Sequence, residues 1–318
     1  MEERNNLKLI CMEDIEAKEV DWLWYPYIPY GKLTIIQGDP GEGKTTMVLQ
    51  IVALFTKGEK LPCDDREQKP ANVIYQTAED GLADTVKPRL MAAGADCSRV
   101  LVIDECCNSL SMTDGRLEQA IKETGAKLLI LDPIQAYLGA GVDMHRANEI
   151  RPVMKQLGDI AEKYGCAIIL IGHMNKANGC KSAYRELGSI DFQATARSVL
   201  IVGRIKDDPS LRIMAHDKSS LAPEGKSVAF RMDKERGFHW KGQCDISVDE
   251  LLSGDLKGQK LRTAKTFLAS MLEDGNRPQK EIETAAHEQG IKTKTLRNAK
   301  QEMEVGSKKI GNQWYWYL

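Results

Sequence analysis

The sequence predicts an α/β fold with a mostly parallel sheet, and three observations support this prediction. Short apolar runs without alternation recur between Leu33 and His173, as in Leu128–Leu131 and Ala167–Gly172. Amphipathic segments of helical period separate these runs. A glycine-rich loop directly follows the first run, Leu33–Ile36. Strands that are buried on both faces and connected through helices form parallel sheets covered by helices on either side.

Length and composition are those of a globular chain with one large domain and one small domain. It has 318 residues, 28% of them charged, and a mean hydropathy of -0.38. No run approaches the roughly 20 apolar residues that a membrane-spanning helix needs. The N-terminus lacks the apolar core of a signal peptide. We therefore expect a cytoplasmic protein.

Residues 1–31 are expected to form a lead-in to the large domain. Positions 22–31 read W-L-W-Y-P-Y-I-P-Y-G, and so many rings with two prolines argue against a regular element. Large aromatic side chains bury area wherever they can. The segment is therefore predicted to pack on the core or on a neighbouring subunit, with a contact to a nucleotide base as the alternative.

The loop after Leu33–Ile36 matches the pattern G-x-x-x-x-G-K-[ST] and opens a helix. Its residues are Gly38, Asp39, Pro40, Gly41, Glu42, Gly43, Lys44 and Thr45, followed by Thr46. In this context backbone N–H groups surround an anionic phosphate, and the helix N-terminus adds positive potential. The pattern predicts a nucleoside triphosphate site, with Lys44 on the β- and γ-phosphates and the Thr45 hydroxyl on Mg²⁺.

Beyond this loop, strands and helices alternate as far as His173. Strands are predicted at Val73–Gln76, Val100–Ile103, Leu128–Leu131 and Ala167–Gly172, and helices at Leu82–Ala93, Leu117–Thr124 and Glu149–Tyr164. Pro88 is expected to kink or split the first of these helices.

After Ser198 the pattern predicts a β-rich, antiparallel extension of the sheet. Its strands are predicted at Val199–Val202, Leu211–Ala215, Val228–Arg231 and Phe238–Trp240, with turns such as Asp208-Pro209. The large domain is accordingly placed at 32–242, followed by a polar linker at 243–259.

Three candidate catalytic residues follow predicted strands. In parallel sheets the carboxyl ends of the strands form the ligand-binding edge. Glu79 could activate the attacking water, or simply stabilise a helix N-terminus. Asp132 could hold Mg²⁺ through a water, or be a buried acid in a turn. His173 could contact the γ-phosphate, or be a structural polar residue.

Two glycine-containing loops, 139–148 and 175–189, carry basic residues near the same edge. We expect phosphate-backbone contacts to DNA there, with solvated loops as the alternative. The candidates are Arg146, Lys176, Lys181 and Arg185.

Residues 260–318 predict a small winged-helix domain. Helices are expected at Leu261–Leu272, Pro278–His287 and Lys292–Met303, followed by a hairpin around Gly311-Asn312. From Leu256 onward there are twelve basic and seven acidic side chains. This excess of positive charge favours DNA binding over a protein-interaction module. The predicted DNA contacts of the third helix are Lys292, Lys294, Arg297 and Lys300.

The quoted motifs resemble those of the RepA-like hexameric helicases, a RecA-type ATPase family of phages, plasmids and mobile elements. The resemblance rests on the phosphate loop, Y-Q-T-A-E-D, L-L-I-L-D-P and I-G-H-M-N-K, and it covers about Trp22–Trp240. It implies a ring of six subunits, with ATP and Mg²⁺ between neighbours and single-stranded DNA through the centre. It also implies a basic finger from the adjacent subunit, for which Arg204 and Lys218 are the candidates and Arg197 and Arg212 the alternatives.

Together these features predict an ATPase acting on DNA, most specifically a replicative helicase of a mobile element. One alternative is an ATP-switched DNA-binding regulator or helicase loader that separates no strands. A small-molecule kinase is a further alternative, because kinases also use this phosphate loop.

Overall fold

The computed structural model describes residues 9–106, 108–139, 141–174, 190–233, 235–253 and 257–318. Within these ranges, no helix combines the length and the apolar character that crossing a membrane requires.

Strands and helices alternate through the first half of the described chain, and strands dominate the part that follows. The strands are β1 (Trp22–Trp24), β2 (Ile28–Pro29), β3 (Leu33–Gly38), β4 (Val73–Thr77), β5 (Val100–Leu101), β6 (Leu128–Asp132), β7 (Ala167–His173), β8 (Ser198–Ile205), β9 (Asp208–Ser219), β10 (Ser227–Asp233), β11 (Gly237–Cys244), β12 (Arg277–Pro278), β13 (Gly306–Ile310) and β14 (Gln313–Tyr317). The α-helices are α1 (Lys44–Lys57), α2 (Lys87–Ala92), α3 (Gly115–Thr124), α4 (Ala147–Tyr164), α5 (Ile190–Thr195), α6 (Val248–Ser253), α7 (Lys257–Leu272), α8 (Gln279–Glu288) and α9 (Thr293–Glu302).

The central sheet has the strand order β11-β10-β9-β8-β3-β7-β6-β4-β5 among the described residues. The six strands from β8 to β5 run parallel, which confirms the predicted parallel sheet. Strands β8 to β11 form an antiparallel meander on the other side, as the β-rich pattern predicts. Buried apolar clusters lie on both faces of the sheet, so the parallel strands carry apolar side chains without alternation.

The predicted turn at Asp208-Pro209 is wrong. Both residues lie in β9, and the turn occurs at Lys206-Asp207, where Ile205 of β8 pairs with Asp208. The meander strands are longer than their apolar cores because polar residues continue each ladder beyond the buried part. The helix predicted at Leu82–Ala93 is split near Pro88, as expected, into a π-helical turn, Leu82–Val86, and α2.

The aromatic lead-in packs on the core, but it also forms a regular element, contrary to expectation. Strands β1 and β2 pair as a short antiparallel hairpin. Trp24 and Tyr27 are buried, and their polar atoms are satisfied by distant carbonyls. The Trp24 Nε1 donates to Pro62 O at 2.9 Å, and the Tyr27 hydroxyl donates to Lys226 O at 2.6 Å. The hairpin therefore braces the meander against the parallel part of the sheet.

Much of the predicted linker at 243–259 is regular structure. β11 continues to Cys244, and α6 buries Leu251 against the meander, with Ile213 in the same apolar cluster. A capping box fixes the start of α6: Glu250 N–H donates to Ser247 Oγ, and Glu250 Oε2 accepts from Ser247 N–H. Polar composition hides this helix because only one of its faces is buried.

Helices α7, α8 and α9 surround a separate apolar core with the small sheet β12-β14-β13. Leu268 and Leu296 are buried in it, and Trp316 of β14 closes it from the side of the sheet. The order of three helices followed by a hairpin is as predicted. Pro278, expected at the start of a helix, forms β12 with Arg277 instead, and α8 begins at Gln279.

Candidate functional site

The phosphate loop curves between the end of β3 and the start of α1. Gly41 and Gly43 have φ angles of 78° and 90°, which side chains with a Cβ rarely adopt. Gly38 is required for a different reason: a Cβ there would lie 2.1 Å from the Val202 carbonyl oxygen of β8. The central strands therefore fix where the loop begins.

Lys44 is a buried residue, only 4% exposed, and three acceptors surround its ammonium group. Its Nζ lies 2.8 Å from Gly38 O, 2.9 Å from Asp39 O and 3.3 Å from His173 Nδ1. An ammonium has three donors and no acceptor, so these contacts satisfy it completely. Burial lowers the pKa of Lys44, although the Asp132 carboxylate opposes this effect.

His173 connects Lys44 to Glu79. Because Lys44 can only donate, Nδ1 is the acceptor of this contact, which leaves Nε2 to carry the ring N–H. The His173 Nε2 lies 3.6 Å from Glu79 Oε1. The Glu79 side chain is 62% exposed, so its carboxylate borders the open side of the site. Residues from three strand ends thus form one continuous polar row.

A second polar group surrounds Asp132 at the end of β6. Its Oδ2 accepts from Thr45 Oγ1 at 2.8 Å and from the Tyr75 hydroxyl at 3.0 Å. Burial raises the pKa of Asp132, and these two hydrogen bonds oppose the rise. Tyr75 is fully buried in β4, and the sequence prediction missed it. The signal in the sequence was a tyrosine in the buried strand V-I-Y-Q, because a buried hydroxyl needs a hydrogen-bond partner.

Side chains of the meander strands contact the phosphate loop. Arg204 of β8 holds Glu42 of the loop, with Nε and Nη2 each 3.0 Å from Oε1. Arg212 of β9 is buried, and a Cβ on Gly43 would meet its Cδ at 3.2 Å. Burial lowers the pKa of Arg212, and the nearby charge of Arg204 lowers it further.

Some predicted site residues lie away from this edge. The Lys218 Nζ donates to Gln193 O, Ala194 O and Ala196 O at 2.6, 3.1 and 2.9 Å, which caps the end of α5. Its role in catalysis remains a prediction.

Of the four basic loop residues, the structure describes Arg146. Arg146 pairs with two acids at the start of α4, at 3.4 Å from Asp143 and 3.3 Å from Glu149. Lys176, Lys181 and Arg185 lie outside the described residues.

The basic residues predicted on the third helix lie on α9 or directly before it. Lys292, Lys294 and Arg297 are exposed, with Lys292 just before the helix begins. Lys300 is half-buried instead: its ammonium lies 4.5 Å from the centroid of the Trp316 ring and hydrogen-bonds to Ser307. Burial lowers the pKa of Lys300.

Comparison with known proteins places this site in a family. The model of the AAA domain family matches residues 10–179, more than half of the chain. The chain belongs to the AAA domain family. The match contains the phosphate loop, Glu79, Asp132 and His173. Together with the mostly parallel sheet, it identifies a RecA-like P-loop ATPase core.

Curated relatives match a similar share of the chain. The DNA repair protein RadA of Halalkalibacterium halodurans is 29% identical over 166 residues, 51% of this chain and 32% of the relative. RadA of Campylobacter jejuni is 24% identical over 182 residues, 52% of this chain and 36% of the relative. RadA of Bacillus subtilis is 26% identical over 149 residues, 46% of this chain and 28% of the relative. The chain thus spans well under half the length of each of these relatives.

The donor set around Thr45 fits a magnesium ion. Hydroxyl and carboxylate oxygens are the ligands that Mg²⁺ prefers. Thr45 Oγ1 and Asp132 Oδ2 are neighbours at the N-terminus of α1, beside the loop that would hold the phosphates. These two side chains are sufficient as protein ligands, since Mg²⁺ usually completes its coordination shell with water and phosphate oxygens.

Proposed function

We propose that the chain hydrolyses ATP with Mg²⁺ and couples this turnover to DNA. The observation that carries the hydrolysis proposal is the polar row Lys44–His173–Glu79, which joins the phosphate-binding lysine to a partly exposed carboxylate. A phosphate loop alone would serve binding or phosphoryl transfer to a metabolite. A carboxylate at this place favours activation of water.

Each residue of the row has a task in this proposal. Lys44 exchanges its carbonyl contacts for phosphate oxygens and stabilises the charge that develops on them. Glu79 orients the attacking water and takes its proton as the bond between the γ-phosphorus and the oxygen of ADP breaks. The His173 Nε2–H faces Glu79, so a change at Lys44 reaches the carboxylate and the loop after β7. Mg²⁺, held by Thr45 directly and by Asp132 through water, would neutralise phosphate charge.

Coupling to DNA is supported by the relatives, which are named DNA repair proteins, and by the basic surface of the C-terminal region. We assign residues 260–318 as a winged-helix domain with α9 as the helix that contacts DNA. Lys292, Lys294 and Arg297 are exposed for such contacts.

We further propose a ring of subunits in the cytoplasm, six by the resemblance to RepA-like helicases. The open side of the site at Glu79 leaves room for a basic finger from a neighbour. Arg204 is the stronger candidate, because its side chain is 42% exposed, whereas the Lys218 ammonium is held by three carbonyls. Arg204 forms an ion pair with Glu42 of its own subunit, and it would have to leave this pair to reach the neighbouring site.

The test is an ATPase assay with and without single-stranded DNA, with the mass of the assembly measured on the same sample. We expect Mg²⁺-dependent hydrolysis that DNA stimulates, and its loss in Lys44→Ala. Phosphoryl transfer to a metabolite without any dependence on DNA would contradict the proposal. A strand-displacement assay then separates a helicase from an ATP-switched regulator or loader.

A further inference from the structure

The β13–β14 hairpin exposes large apolar side chains that no other described part of the chain covers. Ile310, Trp314, Tyr317 and Leu318 are all among the exposed large hydrophobic residues. Trp314 is 52% exposed near the tip of the hairpin. Exposed apolar residues grouped in one short segment can mark a binding site, and aromatic side chains are enriched at such sites.

The two tryptophans of β14 have different surroundings. Trp316 is 2% exposed, its Nε1 donates to Gln279 Oε1 at 3.3 Å, and Lys300 covers its ring. It therefore closes the apolar core of the C-terminal region. Trp314 has neither a ring contact nor a hydrogen bond within the part of the chain that the structure describes. Its ring has no structural task there.

Positive charge accompanies the exposed ring. In the antiparallel ladder, Lys309 pairs with Trp314 and Lys308 with Tyr315. Directly paired residues project from the same face of the hairpin, so the Lys309 side chain stands beside the Trp314 ring. Residues 306–318 contain these two lysines and no acidic side chain. Neither lysine forms an ion pair within the described ranges.

An exposed ring beside an unpaired lysine suits single-stranded DNA better than a protein or a duplex. Protein interfaces are depleted in lysine. In a duplex the faces of the bases are already stacked on one another, whereas a single strand offers them to an aromatic ring. The phosphates of the single strand provide the negatively charged partner that Lys309 lacks within the described residues.

We propose that the β13–β14 hairpin binds single-stranded DNA, with a base stacked on Trp314 and a phosphate on Lys309. The inference rests on the proposed action on DNA and adds a site outside α9. Placing the strand at the hairpin leaves the exposed lysines of α9 for other contacts.

The test measures binding of the full chain to a fluorescent oligothymidylate by anisotropy at several salt concentrations. Trp314→Ala is expected to weaken binding about 5- to 150-fold, the usual range for one stacked base. Trp314→Phe should restore most of the affinity, because it keeps an aromatic face. Lys309→Ala should reduce the slope of log K against log salt by about 0.7, as expected for one lost phosphate contact.

Matched controls separate stacking from general effects. Leu318→Ala removes an exposed apolar side chain from the same region without removing a ring. Lys60→Ala removes an exposed lysine from the ATPase core. Both controls should bind the oligonucleotide as the wild type does. Quenching of tryptophan fluorescence by the oligonucleotide should disappear in Trp314→Phe, since the signal comes from the stacked indole.

The outcomes distinguish this site from the proposed function. If the wild type binds DNA and Trp314→Ala binds equally well, the hairpin site is wrong and the action on DNA stands. If the wild type neither binds DNA nor responds to it in ATP hydrolysis, both proposals fail. A change in assembly mass at unchanged DNA affinity in Trp314→Ala would identify a protein interface and overturn the site.

Discussion

Replacement of Tyr75 by phenylalanine tests how the Mg²⁺ site is organised. The Tyr75 hydroxyl is one of two described donors to Asp132 Oδ2, and Thr45 is the other. Thr45 has to serve both the metal and Asp132, whereas Tyr75 contacts the carboxylate only. We therefore expect Tyr75→Phe to leave the ligands in place but to loosen the orientation of the carboxylate.

The size of the effect follows from the hydrogen bond. Hydrogen bonds to charged groups contribute about 1.5–3 kcal/mol, and this one joins a fully buried ring to a buried carboxylate at 3.0 Å. Thr45 remains as a donor, so the carboxylate is not left without a partner. We expect the lower part of this range, roughly a tenfold rise in the Mg²⁺ concentration at half-maximal ATP hydrolysis.

The effect of Tyr75→Phe on the Mg²⁺ requirement should also depend on pH, in a direction that the pKa of Asp132 determines. Burial raises the pKa of Asp132, and the Tyr75 hydrogen bond lowers it. Without that bond the pKa rises further, so protons compete with Mg²⁺ at higher pH. The difference in Mg²⁺ requirement between variant and wild type should therefore widen as the pH falls.

Tyr137→Phe is the matched control. Tyr137 is also buried, but its hydroxyl has no hydrogen-bond partner within the described residues. The same chemical change should leave the Mg²⁺ dependence unaltered. Equal Mg²⁺ titrations for wild type and Tyr75→Phe, at every pH, would refute the positioning role.

Three further predictions concern the base, the finger and a buried histidine. Glu79→Gln should bind ATP but hydrolyse it at least a hundredfold more slowly, because general-base catalysis contributes about 10²–10⁴-fold; wild-type turnover would exclude Glu79. If Arg204 acts on a neighbour, mixing Arg204→Ala with Lys44→Ala should restore some ATP hydrolysis, and no recovery in co-assembled subunits would argue against shared sites. His216 is buried, and burial lowers its pKa to about 4. His216 therefore binds a proton near pH 6.5 in the unfolded chain, but only near pH 4 in the native state. The stabilisation is present above pH 6.5 and is lost towards pH 4, by at most about 3 kcal/mol. In urea unfolding, the stability difference between wild type and His216→Gln should shrink over this window, and a constant difference would be inconsistent with the buried neutral ring.

The sequence alone indicated the residues whose roles follow from local context. The phosphate loop needs only a strand before it and a helix after it, so Gly38–Thr45 is recognisable without the rest of the chain. Asp132, Glu79 and His173 were identifiable because each follows an apolar run, and parallel strands end at one edge. The same local reasoning failed for α6, since a short helix that buries one face keeps a polar composition.

Only the tertiary structure decided which side chains meet. Lys44 and His173 are 129 residues apart, and Thr45 and Asp132 are 87 residues apart. Strands β3 and β7 are neighbours through crossover connections, and their register places Gly38 beside His173. Long-range packing sets that register, and no local pattern encodes it. For the same reason, Tyr75 on Asp132, Arg204 on Glu42 and Lys218 at the end of α5 became visible only in the folded chain.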